Sequence, residues 1–290
     1  MRLQISRYVG YSLPLFWCGV LFGQPARCTQ DTIVGTYALA TQGSMLMTPA
    51  GASQPVAVPF VTLAIASIDS AGAVSGQAYG ALGETITKIP GGGSIQVNED
   101  CTAVAKTSVG SVATDVILDE GREIRSVMIQ VPTAKPIVQG VGKRISRIPA
   151  TVEPVQCSSS SVHGVYAVTY QGTYMMPQAD GSQSVAMPAL TVALISVDYD
   201  GQLTGRGTMT LAGNPLDYQA DGHLDVNTDC SALAQMSVQS GMLADQGKAW
   251  IAVLDGGNEL WAVQIESAVA KPVTSGTWKR ISPIPWSVTQ

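Results

Sequence analysis

Histidine is nearly absent: His163 and His223 are the only two in 290 residues. That leaves little material for general acid–base catalysis or for a histidine-rich metal site. Charge is also sparse, with Asp, Glu, Lys and Arg making up 13% of the chain. The formal net charge is −5 and basic residues come singly or in pairs, which argues against a nucleic-acid partner. No segment carries a sustained 3.6-residue apolar period with a cap before it and a glycine after it, so helices are not expected. The phosphate-binding loop, the G-x-S-x-G elbow, the H-E-x-x-H helix and the EF-hand loop are all missing. There is no C-x-x-C pair. No cofactor and no metal are expected.

What the chain does contain, it contains twice. A shift of 129 positions carries Cys28 onto Cys157, Gly35 onto Gly164, Tyr37 onto Tyr166, Asp69 onto Asp198 and Cys101 onto Cys230. Further on, a shift of 136 carries Gly121 onto Gly257, Glu123 onto Glu259 and Lys143-Arg144 onto Lys279-Arg280. The second copy therefore holds seven extra residues between Ser237 and Trp250. They are expected to form an extra loop over Gln239 to Lys248. A unit of this length is a whole domain, too long for a solenoid repeat. The expected division is a signal peptide at 1–26, one repeat at 28–149, a linker at 150–156 and the second repeat at 157–286.

The leader reading rests on Arg2 and Arg7 followed by an apolar run from Val9 to Gly23 that is short for a membrane span. After its removal no membrane span is expected. Four cysteines then remain, two per repeat, and both pairs are 73 positions apart. Four cysteines allow three pairings. Repeat symmetry selects Cys28–Cys101 and Cys157–Cys230, which suits an exported, extracytoplasmic protein.

Strand signals recur throughout. Val61 to Ile68 and Leu190 to Val197 are short runs rich in β-branched residues, each followed by Asp and a glycine-bearing turn. Glu120-Gly121 and Gly256-Gly257 mark a second hairpin where positive φ is wanted. In repeat 1 the strands are expected near 32–42, 56–68, 72–82, 93–98, 103–109, 112–119, 122–131 and 137–146. Eight such strands can close on themselves and so remove both edges. The fold class expected is all-β, with two tandem homologous antiparallel β-barrels of about eight strands each. β-Sandwiches are the alternative.

Two resemblances follow from particular residues. Gly35-Thr-Tyr37 and Gly164-Val-Tyr166 open the first strand of each repeat, and Arg144 or Arg280 lies in the last. This is similar in position to lipocalin-like (calycin) barrels, which pack a Gly-x-Trp beneath a late arginine, with tyrosine here in place of tryptophan. Gly35, Tyr37, Arg144, Gly164, Tyr166 and Arg280 are accordingly read as structural. The segments Val97-Asn-Glu-Asp-Cys-Thr102 and Val226-Asn-Thr-Asp-Cys-Ser231 add to a pattern that resembles tandem secreted bacterial proteins of unknown function with small barrels of the allene-oxide-cyclase type. That resemblance implies the fold; its motifs are turn and core residues.

Residues pointing to a ligand are few. Met45-Leu-Met47 and Tyr174-Met-Met176 follow the shared Gln-Gly pair, and methionine suits an adaptable apolar pocket. Trp250 and Trp261 occur in repeat 2 alone, aligned with Thr114 and Arg125. The candidate binding residues are therefore Met47, Tyr174, Met176, Trp250 and Trp261, with no catalytic residue named. The function expected is a secreted module binding a small apolar ligand or an extracellular partner surface. The alternatives are a cyclase-like barrel enzyme and a structural or adhesive module.

Overall fold

Short β-branched runs broken by Asp- and Gly-bearing turns favour consecutive antiparallel pairing, since each turn returns the chain beside the strand it has just left. In a computed structural model this pairing runs to completion twice. The structure describes residues 27–48, 53–153, 155–178, 184–240 and 244–285. The leader expected at 1–26 lies outside the described residues, as does position 286.

Barrel 1 contains β1 (Gly35–Met47), β2 (Val56–Ile68), β3 (Ala73–Leu82), β4 (Thr85–Val97), β5 (Thr102–Thr107), β6 (Val112–Leu118), β7 (Glu123–Gln130) and β8 (Lys135–Ser146). Barrel 2 repeats the order with β9 (Gly164–Met176), β10 (Val185–Val197), β11 (Gln202–Leu211), β12 (Asn214–Val226), β13 (Ser231–Gln239), β14 (Ala244–Leu254), β15 (Glu259–Ser267) and β16 (Lys271–Ser282). Each set closes by pairing its last strand with its first, so these are barrels and not sandwiches.

The fourth strand corrects the sequence reading. It runs over Thr85–Val97, well beyond the expected 93–98. Pro90-Gly-Gly-Gly93 looks like a turn but lies inside the strand. A Cβ on Gly91 would come within 2.7 Å of the Gly76 backbone, so glycine allows β3 and β4 to close up where the wall coils. Only Gly93–Val97 of β4 pairs with β5, and Pro90 lies on the stretch of that edge without a β5 partner, where its missing N–H costs nothing.

The extra loop is a second correction. β13 is nine residues against six in β5, and β14 is eleven against seven in β6. Three residues on one strand and four on the other account for all seven. The insertion raises a hairpin wall, and β12 now pairs with β13 from Gln219 to Val226.

One end of each barrel is sealed in the same way. Tyr37, fully buried, donates its hydroxyl to the Gly121 carbonyl at 2.6 Å and receives Arg144 Nε at 2.9 Å. Arg144 also donates to the Thr32 carbonyl. In barrel 2 Tyr166 lies 2.8 Å from the Gly257 carbonyl, and Arg280 donates to Tyr166 and to the Ser161 carbonyl. Gly121 and Gly257 have φ of 77° and 86°, and a Cβ on either would strike the Thr32 or Ser161 carbonyl. A short turn, Gln30–Ile33 or Ser159–Val162, plugs this end with a fully buried Ile33 or Val162. The disulfides Cys28–Cys101 and Cys157–Cys230 tie the plugs to the wall.

The polar residues flanking the turns also act in the frame. Asp69 Oδ1 accepts from the Ala71 and Ala73 amides, and Asp198 Oδ1 from Asp200 and Gln202. Asp100 and Asp229 hold the turns at Cys101 and Cys230, whose φ values are 65° and 63°.

The barrels pack against each other through an apolar patch. Val61, Leu63 and Ile65 on the outside of β2 meet Trp250, Trp261 and Val273 on the outside of β14 to β16. Lys143 and Glu259 form an ion pair of 2.6 Å across this contact, and Gln171 donates to Gln42 at 3.1 Å.

Candidate binding site in the second barrel

Strand alternation sends every second side chain inward. In β9 the inward set is Tyr166, Val168, Tyr170, Tyr174 and Met176, placed from the sealed floor towards the open rim. Tyr166 and Val168 belong to the packed floor with Trp278, which is fully buried. Above them the packing stops. A cavity of about 90 Å³ remains, walled by Tyr170, Tyr174, Tyr218, Met176, Met209 and Met236 among others. The raised hairpin contributes Val238, Asp245 and Gly247 to this wall, so the seven extra residues build part of the cup.

The polar groups in the cup are few and mostly phenolic. Tyr174 donates to Gln264 Oε1 at 2.7 Å, and Thr274 donates to the same oxygen at 3.1 Å. Tyr170 accepts from Trp278 Nε1 at 3.2 Å. Burial pushes all three tyrosine pKa values upward, that of Tyr218 to about 12. They are therefore neutral hydrogen-bond donors at any ordinary pH. Asp245 is the one carboxylate among the described residues lining the cup, and it accepts from Ser267 Oγ and the Ala268 amide, both at 2.9 Å.

The sequence-derived candidates separate. Tyr174 and Met176 line the cup. Met47 is the counterpart of Met176 at the end of β1 in barrel 1, so it lies in a different barrel. Trp250 and Trp261 are not in the cup; they are 5% and 4% exposed, on the outside of barrel 2 against barrel 1. Trp250 packs on Tyr79 with ring centroids 5.3 Å apart, and Trp261 donates Nε1–H to Glu259 at 2.8 Å. The period-2 rule carries the reason: inward Ala249 and Ile251 bracket Trp250, so its ring must point out. The partner it meets is the first repeat of the same chain. Sequence reasoning missed Tyr170, Tyr218, Met209 and Met236, although all four face the same side of their strands as the floor residues.

The same level of barrel 1 is different. Thr41 stands where barrel 2 has Tyr170, Ile89 for Tyr218, Gly80 for Met209 and Thr107 for Met236. Thr41 and Thr62 bond each other at 2.6 Å and are only half-buried. Deeper in, Asp115 replaces Ile251. It is 2% exposed, one of its oxygens has no hydrogen-bond partner, and burial raises its pKa against the opposing effect of a Ser126 hydrogen bond.

Among the described residues no helix is long and apolar enough to cross a membrane. The barrel 2 wall carries exposed Asp217, Gln219, Asp221 and Asp225 at outward positions of β12, where a lipid-facing band would need apolar residues. The two disulfides are those of a chain held in an oxidising compartment.

No family model matches the chain, and no curated protein matches it. Among solved structures, a porin-like protein from Bacteroides uniformis is similar over 85% of this chain and 97% of its own, at 13% identity and a TM-score of 0.21. At that score the likeness carries no argument about function.

Proposed function

We propose that the protein is an exported binding module whose second barrel holds a slender apolar molecule, with the first barrel as a fixed support. The observation that carries this reading is the cup itself: one sealed end, an apolar floor, and a methionine- and tyrosine-lined cavity below a raised rim. Ligand pockets combine these features, with an apolar lining and a few placed polar groups. Its 90 Å³ is less than the roughly 150 Å³ of a cavity that encloses benzene, but the cup is open at the rim, so an unbranched chain can enter by one end and leave the rest of its length outside. Methionines at the wall allow it to adapt around such a chain. A single carboxylate without an acid–base companion in the cup gives catalysis no comparable support.

The test is calorimetric titration with a series of unbranched C4 to C9 aliphatic compounds. Affinity should rise with length by about 0.8 kcal/mol per methylene until the cavity is full, then level off. Ala220→Leu, which fills the cup from its wall, should abolish binding and leave the fold intact. Equal binding by the parent and Ala220→Leu, or no binding by any member, would remove this reading.

A further inference from the structure

The phenols of the cup are unequally used. Tyr174 spends its proton on Gln264. Tyr170 accepts from Trp278, which occupies a lone pair and leaves its own O–H undirected. Tyr218 has no hydrogen-bond partner among the described residues, although its ring lines the cavity. Two phenols therefore line the cup without donating their O–H to any acceptor among the described residues. Gln264 Oε1 already receives Tyr174 and Thr274, and the Asp245 oxygens are bonded to Ser267 and the Ala268 amide and not to either phenol. An O–H that loses its water when a ligand fills the cup is costly without an acceptor, and the natural remedy is an acceptor carried by the ligand.

The charge at the rim narrows the class. Asp245 is nine-tenths buried and, among the described residues, has no cation bonded to it; its partners are Ser267 and the Ala268 amide. An anionic ligand head would approach this carboxylate in a low-dielectric cup and be repelled. A cation would find the carboxylate, but would leave both phenols without an acceptor. A neutral acceptor oxygen meets both conditions.

We infer that the cup is specific for a neutral aliphatic carbonyl compound, held by its chain against the methionines and by its oxygen between the Tyr170 and Tyr218 hydroxyls. This rests on the binding reading given above. It adds what that reading leaves open: the functional group recognised and the two residues that recognise it. It also explains why barrel 1 is not a second copy of the site, since Thr41 and Ile89 stand at the two phenol positions.

The test compares hexan-2-one, n-hexane and hexanoate on the full chain at neutral pH. The ketone should bind best, with hexane and hexanoate at least about tenfold weaker. Tyr218→Phe should weaken the ketone about five- to tenfold and leave hexane unchanged, because the ring and its packing remain; Tyr170→Phe should weaken the ketone likewise and also lower stability, because Trp278 Nε1 loses its acceptor. Asp245→Asn should improve hexanoate and leave the ketone unaltered. Ketone and hexane binding alike, or both weakened equally by the Tyr→Phe changes, would overturn the carbonyl assignment while the apolar cup stood. Failure of all three probes to bind would remove the cup itself.

Discussion

The two barrels are built on one frame and filled differently. Strand by strand their lengths agree to within one residue, except for the hairpin of β13 and β14. Floor clasp, plug and disulfide are the same in both. Inside, barrel 2 carries Trp278, Tyr170 and Ile251 where barrel 1 carries Gly142, Thr41 and Asp115. A barrel's closure is thus set by turns, registers and a floor clasp, while its contents can change. The barrel with large apolar contents packs a floor and leaves a shaped space above it. The barrel with small polar contents admits solvent around Thr41 and Thr62.

The largest expected effect comes from exchanging the floor. Trp278→Ala should cost about 3–5 kcal/mol and extend the cup downwards. Calorimetry would show a lower transition, and ligands longer than those accepted by the parent should then bind. The reverse exchange would first have to displace the Leu39 side chain, because a Cβ on Gly142 would lie 2.5 Å from Leu39 Cδ2. If Trp278→Ala were neutral, the floor of barrel 2 would not be its core.

The next effect lies in barrel 1. Burial raises the folded-state pKa of Asp115, so the native state holds its proton more tightly than the unfolded chain does. The stabilisation from this proton is complete below the ordinary carboxylate value and is lost as pH rises from there through the raised value. Asp115→Asn should therefore stabilise the protein at neutral pH by about 1–3 kcal/mol and flatten that slope. Urea unfolding at several pH values measures both. A destabilising Asp115→Asn would mean that the carboxylate is used charged.

The smallest effect concerns the contact between barrels. Burial works to raise the Glu259 pKa, but Lys143 and the Trp261 N–H together hold it below the usual carboxylate range. Its contribution is present above the unfolded value and fades as pH falls through the lowered folded value. Both partners are partly exposed, so Glu259→Gln should cost about 1 kcal/mol or less at neutral pH. Following the two barrels by separate probes in urea would show whether they uncouple.

Much of the frame was legible in the sequence. Paired Asp-to-Gly turns, equal cysteine spacing and the Tyr–Arg pair each act locally or through a register that a repeat makes visible. What escaped had physical causes. The run Pro90 to Gly93 has turn chemistry, yet a coiled wall uses the same residues for close approach. The seven inserted residues have no apolar period to mark them as strand. Trp250 and Trp261 stand among the binding candidates in the sequence, because their surroundings depend on how two barrels meet, which no one-domain pattern records. The cup was half-visible through Tyr174 and Met176; Tyr170 and Tyr218 come from strands brought together only by closure.

The hydrogen bond from Gln171 to Gln42 joins a residue to its own counterpart in the other repeat. In a dimer of identical subunits such a meeting would fall on the two-fold axis, with the same contacts on both sides of it. Here the packed contact is one-sided. Val61 packs near Val273, whereas their counterparts Leu190 and Ile137 remain 52% and 62% exposed beside an open groove. The filled side has Trp250 and Trp261; the open side has Thr114 and Arg125 in their places. Two identical subunits cannot differ in this way, since any substitution would alter both sides at once. Joining the barrels in one chain removes that constraint, and it allows a symmetric pair to close on one side while keeping the other free.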